Sequence, residues 1–370
     1  MTTETAERPK TDRPGGTRLR QIDCDLHAYM RSREHLKQYL PAKQHRYFDQ
    51  VAGREQLGLA VGARPSRSFY REDTFLPNDG QPGSDLRVTQ EQLLDRYGID
   101  RGILTPLDQY GVPASGELSR AVARAINEWQ AEEWLSQDER LYGSIVVSLE
   151  DGHATASEIA RAASNPRFVQ LFLLVPTADP LGHPRYWPIY EAAAEAGLPL
   201  ALHPGGFSGM PLTGAGWPTY FFEYHVSLPF AYPVEVVSLI YSGVFDRLPE
   251  LQFVLQEGAI SWMIPLMARM DRAYAAMKED VPHLKEAPSE LARRHFWFTT
   301  QPLEEPTKPH QLLQMFDQLG MNDHIMFASD YPHWDFDAPD RALPSSISGE
   351  LRSKIFAGNA ESLYKFTSAQ

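Results

Sequence analysis

Acidic and imidazole side chains stand at the ends of largely apolar segments in this 370-residue chain. Asp25 and His27 end the first of these segments, and His203, Glu257 and Asp330 end three later ones. Burying a carboxylate or an imidazole costs free energy unless the group is paired or bound to a metal. Asp25 and His27 are two positions apart, so on a strand their side chains point to the same side. If the fold brings the segment ends together, these residues form a site for a divalent cation.

Two loop histidines extend this candidate site. His333 follows Asp330 by three positions, and His225 follows the aromatic run at residues 217–224. For each of them the alternative is a loop histidine held by hydrogen bonds or ring stacking, and this alternative is stronger for His225 than for His333. Four ligands suffice for one zinc ion, whereas a richer set of carboxylates and imidazoles suits two ions of iron or manganese. The predicted metal ligands are Asp25, His27, His203, Glu257, Asp330 and His333, and the predicted catalytic residues are Glu257, His333 and His225.

Short apolar segments alternate with amphipathic ones from residue 21 onwards. Short apolar runs are typical of strands in a parallel sheet, since both faces of such a sheet are covered. The predicted strands are residues 21–28, 102–107, 142–149, 169–175, 199–204, 252–257, 296–301 and 324–330. Eight strands with helices between them predict an α/β fold, a (β/α)8 TIM-like barrel. The carboxyl ends of all strands meet at one mouth of such a barrel, which is where the polar residues would gather.

Two predicted connections are unusually long, at residues 31–90 after strand one and 207–232 after strand five. In a barrel both insertions would rise over the carboxyl-end mouth, where substrate pockets lie. The aromatic residues of the second insertion favour a small apolar or aromatic substrate. Helices are predicted at 116–135 and 186–196. Residues 1–20 are polar and predict a disordered leader, followed by one metal-dependent domain at 21–370.

Composition excludes several classes of function. A formal net charge of −13 opposes binding to nucleic acid or to an anionic membrane surface. No run of about 18 apolar residues occurs, so no transmembrane helix is expected. A single cysteine, Cys24, excludes an internal disulfide and a four-cysteine zinc site, and it fits a cytoplasmic protein. The sequence also lacks a nucleophile elbow and a phosphate-binding glycine loop.

Four motifs resemble the amidohydrolase superfamily, in particular the branch that includes aminocarboxymuconate-semialdehyde decarboxylase and the dihydroxybenzoate decarboxylases. They are IDCDLH at 22–27, LHPGG at 202–206, FASD at 327–330 and FAGNAESLY at 356–364, and the resemblance covers about residues 21–366. It implies a metal held by Asp25 and His27 of strand one, His203 of strand five and Asp330 of strand eight. The sequence departs from the decarboxylases at Glu257, where they generally place a catalytic histidine.

This departure favours a dinuclear iron-containing monooxygenase as the first hypothesis, since a glutamate can bridge two ions. The stretches around Glu257 and residues 330–335 resemble the oxygenase members of the superfamily. In that hypothesis two ions, Fe or Fe/Mn, bind dioxygen and hydroxylate a small organic substrate. The second hypothesis is a hydrolase or non-oxidative decarboxylase with one Zn or Mn ion and a carboxylated or aromatic substrate. The third is a non-catalytic subunit of a hetero-oligomer, and a homo-oligomer is also compatible with the apolar loops.

Overall fold

Eight parallel β-strands, hydrogen-bonded to one another in sequence order, form the centre of the molecule. The computed structural model describes residues 18–51, 69–77, 80–107, 116–149, 151–205 and 211–367. The strands are β1 (Ile22–Leu26), β2 (Arg101–Leu104), β3 (Leu141–Val146), β4 (Phe168–Val175), β5 (Leu200–Pro204), β6 (Phe253–Leu255), β7 (Phe296–Thr299) and β8 (Ile325–Met326).

The sheet closes on itself between β1 and the segment that follows β8. Cys24 N donates to Phe327 O at 3.0 Å, and His27 N donates to Tyr331 O at 2.8 Å. The amide of Gln256, after β6, donates to Cys24 O at 2.7 Å, a bond that crosses the interior because β1 and β6 are not neighbours. The predicted (β/α)8 barrel is therefore confirmed.

Helices connect the strands and cover the outside of the barrel. The α-helices are α1 (Arg33–Lys37), α2 (Ala42–Val51), α3 (Leu86–Thr89), α4 (Asp95–Tyr97), α5 (Gly116–Trp129), α6 (Gly152–Ala163), α7 (Trp187–Ala196), α8 (Phe221–Val226), α9 (Tyr232–Tyr241), α10 (Val244–Arg247), α11 (Met263–Ala276), α12 (Pro288–His295), α13 (Pro309–Leu319), α14 (Gly349–Ser353) and α15 (Asn359–Leu363). Both predicted helices are present, since α5 continues through a π-helical turn at Gln130–Leu135 and α7 ends at Gly197. Within the ranges given above, no helix combines the length and the apolar character that a bilayer crossing requires.

Six of the predicted strands, all but β4 and β5, end earlier than expected, and two of these early ends concern the site. β6 stops at Leu255 and β8 at Met326, so neither Glu257 nor Asp330 lies on a strand. Both residues adopt left-handed backbone conformations, with φ of 48° and 58°, which turn the chain out of the sheet. The apolar pattern could not reveal this bend, because the residues around it are as buried as those of the strands.

The long insertions after β1 and β5 are present, and they carry helices of their own. The described part of the first insertion contains α1, α2 and α3, and that of the second contains α8. Residues 1–17 of the predicted leader lie outside the described residues. Residues 18–20 are described, and Arg20 forms an ion pair with Glu361 at 2.5 Å.

Candidate metal centre

All six predicted metal ligands lie in one cluster at the carboxyl-end mouth of the barrel. None of them is more than 7% exposed. They form two overlapping groups, each with its candidate ligand atoms within 4.8 Å of one another. The first group is Asp25, His27, His203 and Glu257, and the second is His27, Glu257, Asp330 and His333.

Imidazole nitrogens face carboxylate oxygens throughout the first group. His203 Nε2 lies 3.0 Å from Glu257 Oε1 and 3.7 Å from Asp25 Oδ2, and His27 Nε2 lies 3.5 Å from Glu257 Oε1. Asp25 Oδ2, His27 Nε2, His203 Nε2 and Glu257 Oε1 are buried without a partner in hydrogen-bond geometry among the described residues. Unpaired buried polar atoms are costly and rare. A divalent cation bound among these four atoms would satisfy all of them, so the residues fit a metal.

Neighbouring groups orient the first-group side chains toward this point. His27 Nδ1 donates to Thr105 O at 2.7 Å, and His203 Nδ1 donates to Pro204 O at 2.6 Å. Because a carbonyl oxygen can only accept, Nδ1 carries the proton in both rings and Nε2 faces the cluster. The Thr105 hydroxyl donates to Asp25 Oδ1, which leaves Asp25 Oδ2 for an ion. Hydrogen bonds of this kind are typical of metal-binding histidines and carboxylates.

The second group differs from the first because two of its members are bonded to each other. His333 Nδ1 donates to Asp330 Oδ1 at 2.6 Å, and His333 Nε2 lies 2.8 Å from the Tyr29 hydroxyl. Asp330 Oδ1 also lies 2.8 Å from His27 Nε2, outside hydrogen-bond geometry. Tyr29, His333 and Asp330 therefore form a continuous chain of polar contacts beside the first group.

The charges of the cluster shift several of its pKa values. Burial raises the pKa of Glu257, but the charge of His203 and the contacts with His203, His27 and His333 together outweigh burial and hold that pKa well below its usual range. Burial lowers the pKa of His27, and the carboxylates of Asp25, Asp330 and Glu257 outweigh it, so that the pKa of His27 is raised. A cation that binds to the imidazoles must therefore displace protons.

Asp23 is a buried residue at the centre that the sequence reasoning missed. Its carboxylate accepts from Ser329 N at 2.9 Å, from the Ser329 hydroxyl, and from Asp25 N at 3.2 Å. Burial raises the pKa of Asp23 to about 7. It ties β1 to the segment that carries Asp330, whose left-handed backbone costs about 1–2 kcal/mol in a non-glycine residue. The signal was the alternation of polar residues at positions 23, 25 and 27, which puts all three on one side of β1.

His225 lies near the mouth rather than in the cluster. Its Nε2 is 3.0 Å from Asp335 Oδ2, an oxygen that also accepts from Gln301 Nε2 at 2.9 Å. The His225 ring centroid is 5.2 Å from that of Trp334. Burial lowers the pKa of His225, but its bond with Asp335 outweighs burial and raises the pKa. The structure thus places this predicted catalytic residue beside the centre, held by a carboxylate of its own.

Aromatic rings from the two long insertions lie beside the candidate metal centre. The Phe69 ring centroid lies 4.9 Å from that of His333 and 5.7 Å from that of Phe221 on α8. Phe221 lies 6.0 Å from His225 by the same measure. Both long insertions therefore contribute aromatic side chains next to the candidate metal ligands.

The fold and the site define a (β/α)8 barrel with a buried histidine and carboxylate cluster at its carboxyl-end mouth, the arrangement of metal-dependent barrel enzymes. The chain belongs to the amidohydrolase family, whose sequence model, described as "Amidohydrolase", matches residues 22–366. The protein is accordingly an enzyme of the amidohydrolase superfamily.

Among curated proteins, the chain is similar to two gamma-resorcylate decarboxylases. It is 28% identical over 299 residues to that of Polaromonas sp. (strain JS666) and 29% identical over 307 residues to that of Rhodococcus jostii (strain RHA1). Each match covers 76% of this chain and 88% of the relative.

Solved decarboxylase structures share the fold. One is 5-carboxyvanillate decarboxylase from Sphingomonas paucimobilis, with a TM-score of 0.67 and 22% identity over 95% of this chain and 100% of that chain. Another is a dihydroxybenzoic acid decarboxylase from Polaromonas sp. JS666 with bound manganese and an inhibitor, with a TM-score of 0.65 and 22% identity over 93% and 96% of the two chains.

These relatives overturn the monooxygenase hypothesis, which was wrong. The relatives named above are decarboxylases, in line with the decarboxylase alternative of the second hypothesis drawn from the sequence. The error came from treating Glu257 as evidence for a pair of ions. A carboxylate next to a metal can serve as a ligand of a single ion, so replacing a histidine by Glu257 does not by itself change the reaction.

Proposed function

We propose that this protein is a metal-dependent, non-oxidative decarboxylase of a small aromatic carboxylic acid. The observation that carries the proposal is the convergence of four buried, unpaired ligand atoms from β1, β5 and the turn after β6. The relatives named above supply the reaction class, since they act on resorcylate, carboxyvanillate and dihydroxybenzoate. This set of two imidazoles and two carboxylates suits Mn²⁺ or Zn²⁺. Manganese is favoured because it is present in two related decarboxylase structures.

Asp25, His27, His203 and Glu257 would hold this ion. When bound, the ion would supply a positive charge that binds substrate oxygens and draws electron density out of the aromatic ring. The second group shares His27 and Glu257 with the first, so it offers a position for a second ion. Counting the metal bound per chain will decide between one and two ions.

Loss of CO2 from an aromatic carboxylate requires a proton at the ring carbon that carries the carboxylate. The electron pair of the broken C–C bond returns to the ring as CO2 leaves, so one proton is taken up and no oxidant is consumed. We assign this proton to Asp330: burial, together with the charge of Glu257, raises its pKa well above the usual range, so its carboxyl can carry the proton while Oδ1 accepts from His333. His333 in turn contacts the Tyr29 hydroxyl, so this chain of three groups can return a proton to Asp330 after each turnover.

The aromatic side chains at the mouth would enclose the substrate ring. Phe69 and Phe221 lie on opposite insertions yet contact each other beside His333. Their rings supply apolar surface for an aromatic substrate. His225, held by Asp335, would place a positively charged imidazole toward the carboxylate or a phenolate oxygen of the substrate.

The test is a decarboxylation assay on metal-stripped protein reloaded with Mn²⁺ or Zn²⁺. Candidate substrates are 2,6-dihydroxybenzoate and 5-carboxyvanillate, with CO2 and the phenol measured together. We expect metal-dependent release of CO2 and phenol in equal amounts, and loss of at least 100-fold in kcat for Asp330→Asn with Mn²⁺ still bound. The proposal fails if the loaded protein releases no CO2 from either hydroxylated acid or their isomers and does not carboxylate the phenols with labelled bicarbonate.

A further inference from the structure

The turn that presents Glu257 has an unfavourable backbone conformation. Glu257 and Ala259 both have left-handed backbones, with φ of 48° and 49°, a conformation that L-residues other than glycine rarely adopt. Gly258 lies between them, and a Cβ at that position would be 2.9 Å from Cε2 of Tyr232. A turn of this kind persists only where the surrounding structure holds it in place.

Glu304, in the connection after β7, stabilises this turn through hydrogen bonds. Its Oε1 accepts from Ile260 N at 3.1 Å and from Ser261 N at 2.6 Å, and its Oε2 lies 3.3 Å from Ile260 N. Hydrogen bonds from amides to an ionised carboxylate are stronger than those between neutral groups. The two amides that Glu304 binds come directly after the left-handed turn, so its carboxylate anchors the carboxyl side of that turn.

Other contacts fix the remaining parts of the same turn. Trp262 Nε1 donates to Gly258 O at 2.6 Å, and the Tyr232 hydroxyl donates to Gln256 O. The rings of Tyr232 and Trp262 stack with an interplanar angle of 7°. These contacts come from within the turn and from α9. Glu304 binds the same turn from the neighbouring connection, which follows β7.

We propose that Glu304 is a positioning residue for the metal centre. By binding Ile260 N and Ser261 N, it holds the left-handed turn that places Glu257 Oε1 next to the Nε2 atoms of His27 and His203. Without this anchor the turn relaxes, Glu257 moves away from the imidazoles, and the ion loses one of its four ligands. The inference rests on the proposed function only in taking Glu257 as a ligand of the ion.

The test compares Glu304→Gln with Glu305→Gln, an exposed neighbour in the same connection. Amide hydrogen exchange is measured on the metal-free proteins. Mn²⁺ affinity and the EPR spectrum of bound Mn²⁺ are measured on the same proteins after Mn²⁺ is added. For Glu304→Gln we expect at least tenfold faster exchange at Ile260 and Ser261, at least tenfold weaker Mn²⁺ binding and an altered EPR spectrum. For Glu305→Gln we expect the amide exchange rates and the Mn²⁺ affinity to stay within twofold of the wild type and the EPR spectrum to be unchanged.

The outcomes separate this inference from the proposed function. A wild-type protein that binds no Mn²⁺ overturns the proposed metal centre, whereas the exchange of Ile260 and Ser261 still shows whether Glu304 holds the turn. Exchange that is unchanged in Glu304→Gln overturns the inference. So does an unchanged Mn²⁺ affinity in a protein whose wild type binds the ion. A Glu304→Gln protein that binds Mn²⁺ weakly but keeps a wild-type EPR spectrum when saturated also contradicts it, because the ligand set has then not changed.

Discussion

Glu257 has the surroundings of a metal ligand. Its Oε1 faces Nε2 of both His27 and His203 and has no hydrogen-bond partner among the described residues. The charge of His203 and the contacts with His203, His27 and His333 together keep the pKa of Glu257 low despite burial, so the carboxylate is ionised at neutral pH and does not donate a proton. In the proposed decarboxylase, the proton therefore comes from Asp330, which contacts His333.

The ligand role of Glu257 predicts a specific loss. Glu257→Gln keeps the size of the side chain but removes its charge, so we expect Mn²⁺ affinity to fall by about tenfold or more. Equilibrium dialysis with metal analysis measures this, with the exposed Glu279→Gln as the control. A Glu257→Gln protein that binds Mn²⁺ as tightly as the wild type yet is inactive would instead make Glu257 a catalytic acid or base.

Glu235, on α9, makes the stability of the protein depend on pH. It is 4% exposed, accepts from Leu181 N at 2.7 Å, and burial raises its pKa from 4.5 to about 7. Between these pH values the folded state binds more protons than the unfolded state, so Glu235 lowers the free energy of unfolding as the pH rises. We expect Glu235→Gln to stabilise the protein by about 2–3 kcal/mol more at pH 8 than at pH 5.

Urea unfolding of Glu235→Gln and of the wild type at the two pH values measures this difference. Glu195→Gln on α7 is the matched control, because Glu195 is exposed. Its effect should be the same at both pH values. An equal effect of Glu235→Gln at pH 5 and pH 8 would show that Glu235 does not titrate in this range.

At the scale of elements, the connections after the strands position the chemistry. His27 follows the end of β1, Glu257 follows β6, and Asp330 and His333 lie in the connection after β8. Contacts between these connections help to hold them in place. Asp23 ties the β8 connection to β1, and Glu304 ties the β6 connection to that of β7. The barrel brings these connections to the same end of the molecule, and the contacts between the connections then set the positions of the candidate ligands.

Close packing between elements also predicts where an added methyl group is not tolerated. A Cβ at Gly182, in the segment after β4, would lie 2.2 Å from the backbone oxygen of Ser238 and 2.3 Å from Ser242 Oγ on the side of α9. We expect Gly182→Ala to lower the free energy of unfolding by about 1–3 kcal/mol. Gly214→Ala is the control, since a Cβ there has no atom within 4 Å. Urea unfolding in which both variants behave alike would contradict this packing.

For the whole molecule, metal binding and folding are coupled, because a barrel with four unpaired polar atoms in its mouth gains stability when an ion pairs them. At a free Mn²⁺ concentration of 100 times Kd we expect about 2.7 kcal/mol of stabilisation. Calorimetry with and without chelator measures the corresponding rise in Tm of several degrees. His203→Ala should abolish the rise. A rise that persists in His203→Ala would place the ion elsewhere.

The prediction that the protein forms an oligomer stays open, and the structure indicates where to test it. Exposed apolar side chains gather on α8 and its flanks, where no Lys or Arg occurs between residues 186 and 246. They are Trp217, Tyr220, Phe222, Val226, Phe230 and Val234. This face is largely apolar and carries the exposed Glu223, and such a face is where two copies of a chain with net charge −13 can approach. We expect sedimentation velocity to show a dimer that Phe222→Ser with Val226→Ser converts to monomer and Met277→Ser does not. A monomeric wild type at about 100 μM would refute this.

The sequence by itself determined the fold class and which residues gather in the buried cluster. Eight apolar segments with helices between them encode a barrel through local patterns, and a barrel forces the ends of its strands to one mouth. Six polar residues at or just beyond those ends were therefore predictable as neighbours, although they span residues 25–333. The sequence did not decide the reaction, because hydrolases, decarboxylases and oxygenases use similar ligands on this fold.

Only the tertiary structure decided which ligand atoms stay unpaired, because this depends on the hydrogen bonds that the other atoms of the same side chains make. Asp25 and His203 present free atoms because Thr105 and Pro204 occupy their other sides, whereas Asp330 is bonded to His333. Such pairings depend on differences of about 1 Å between segments up to 300 residues apart. They arise from barrel closure and from left-handed turns that no local pattern in the sequence encodes.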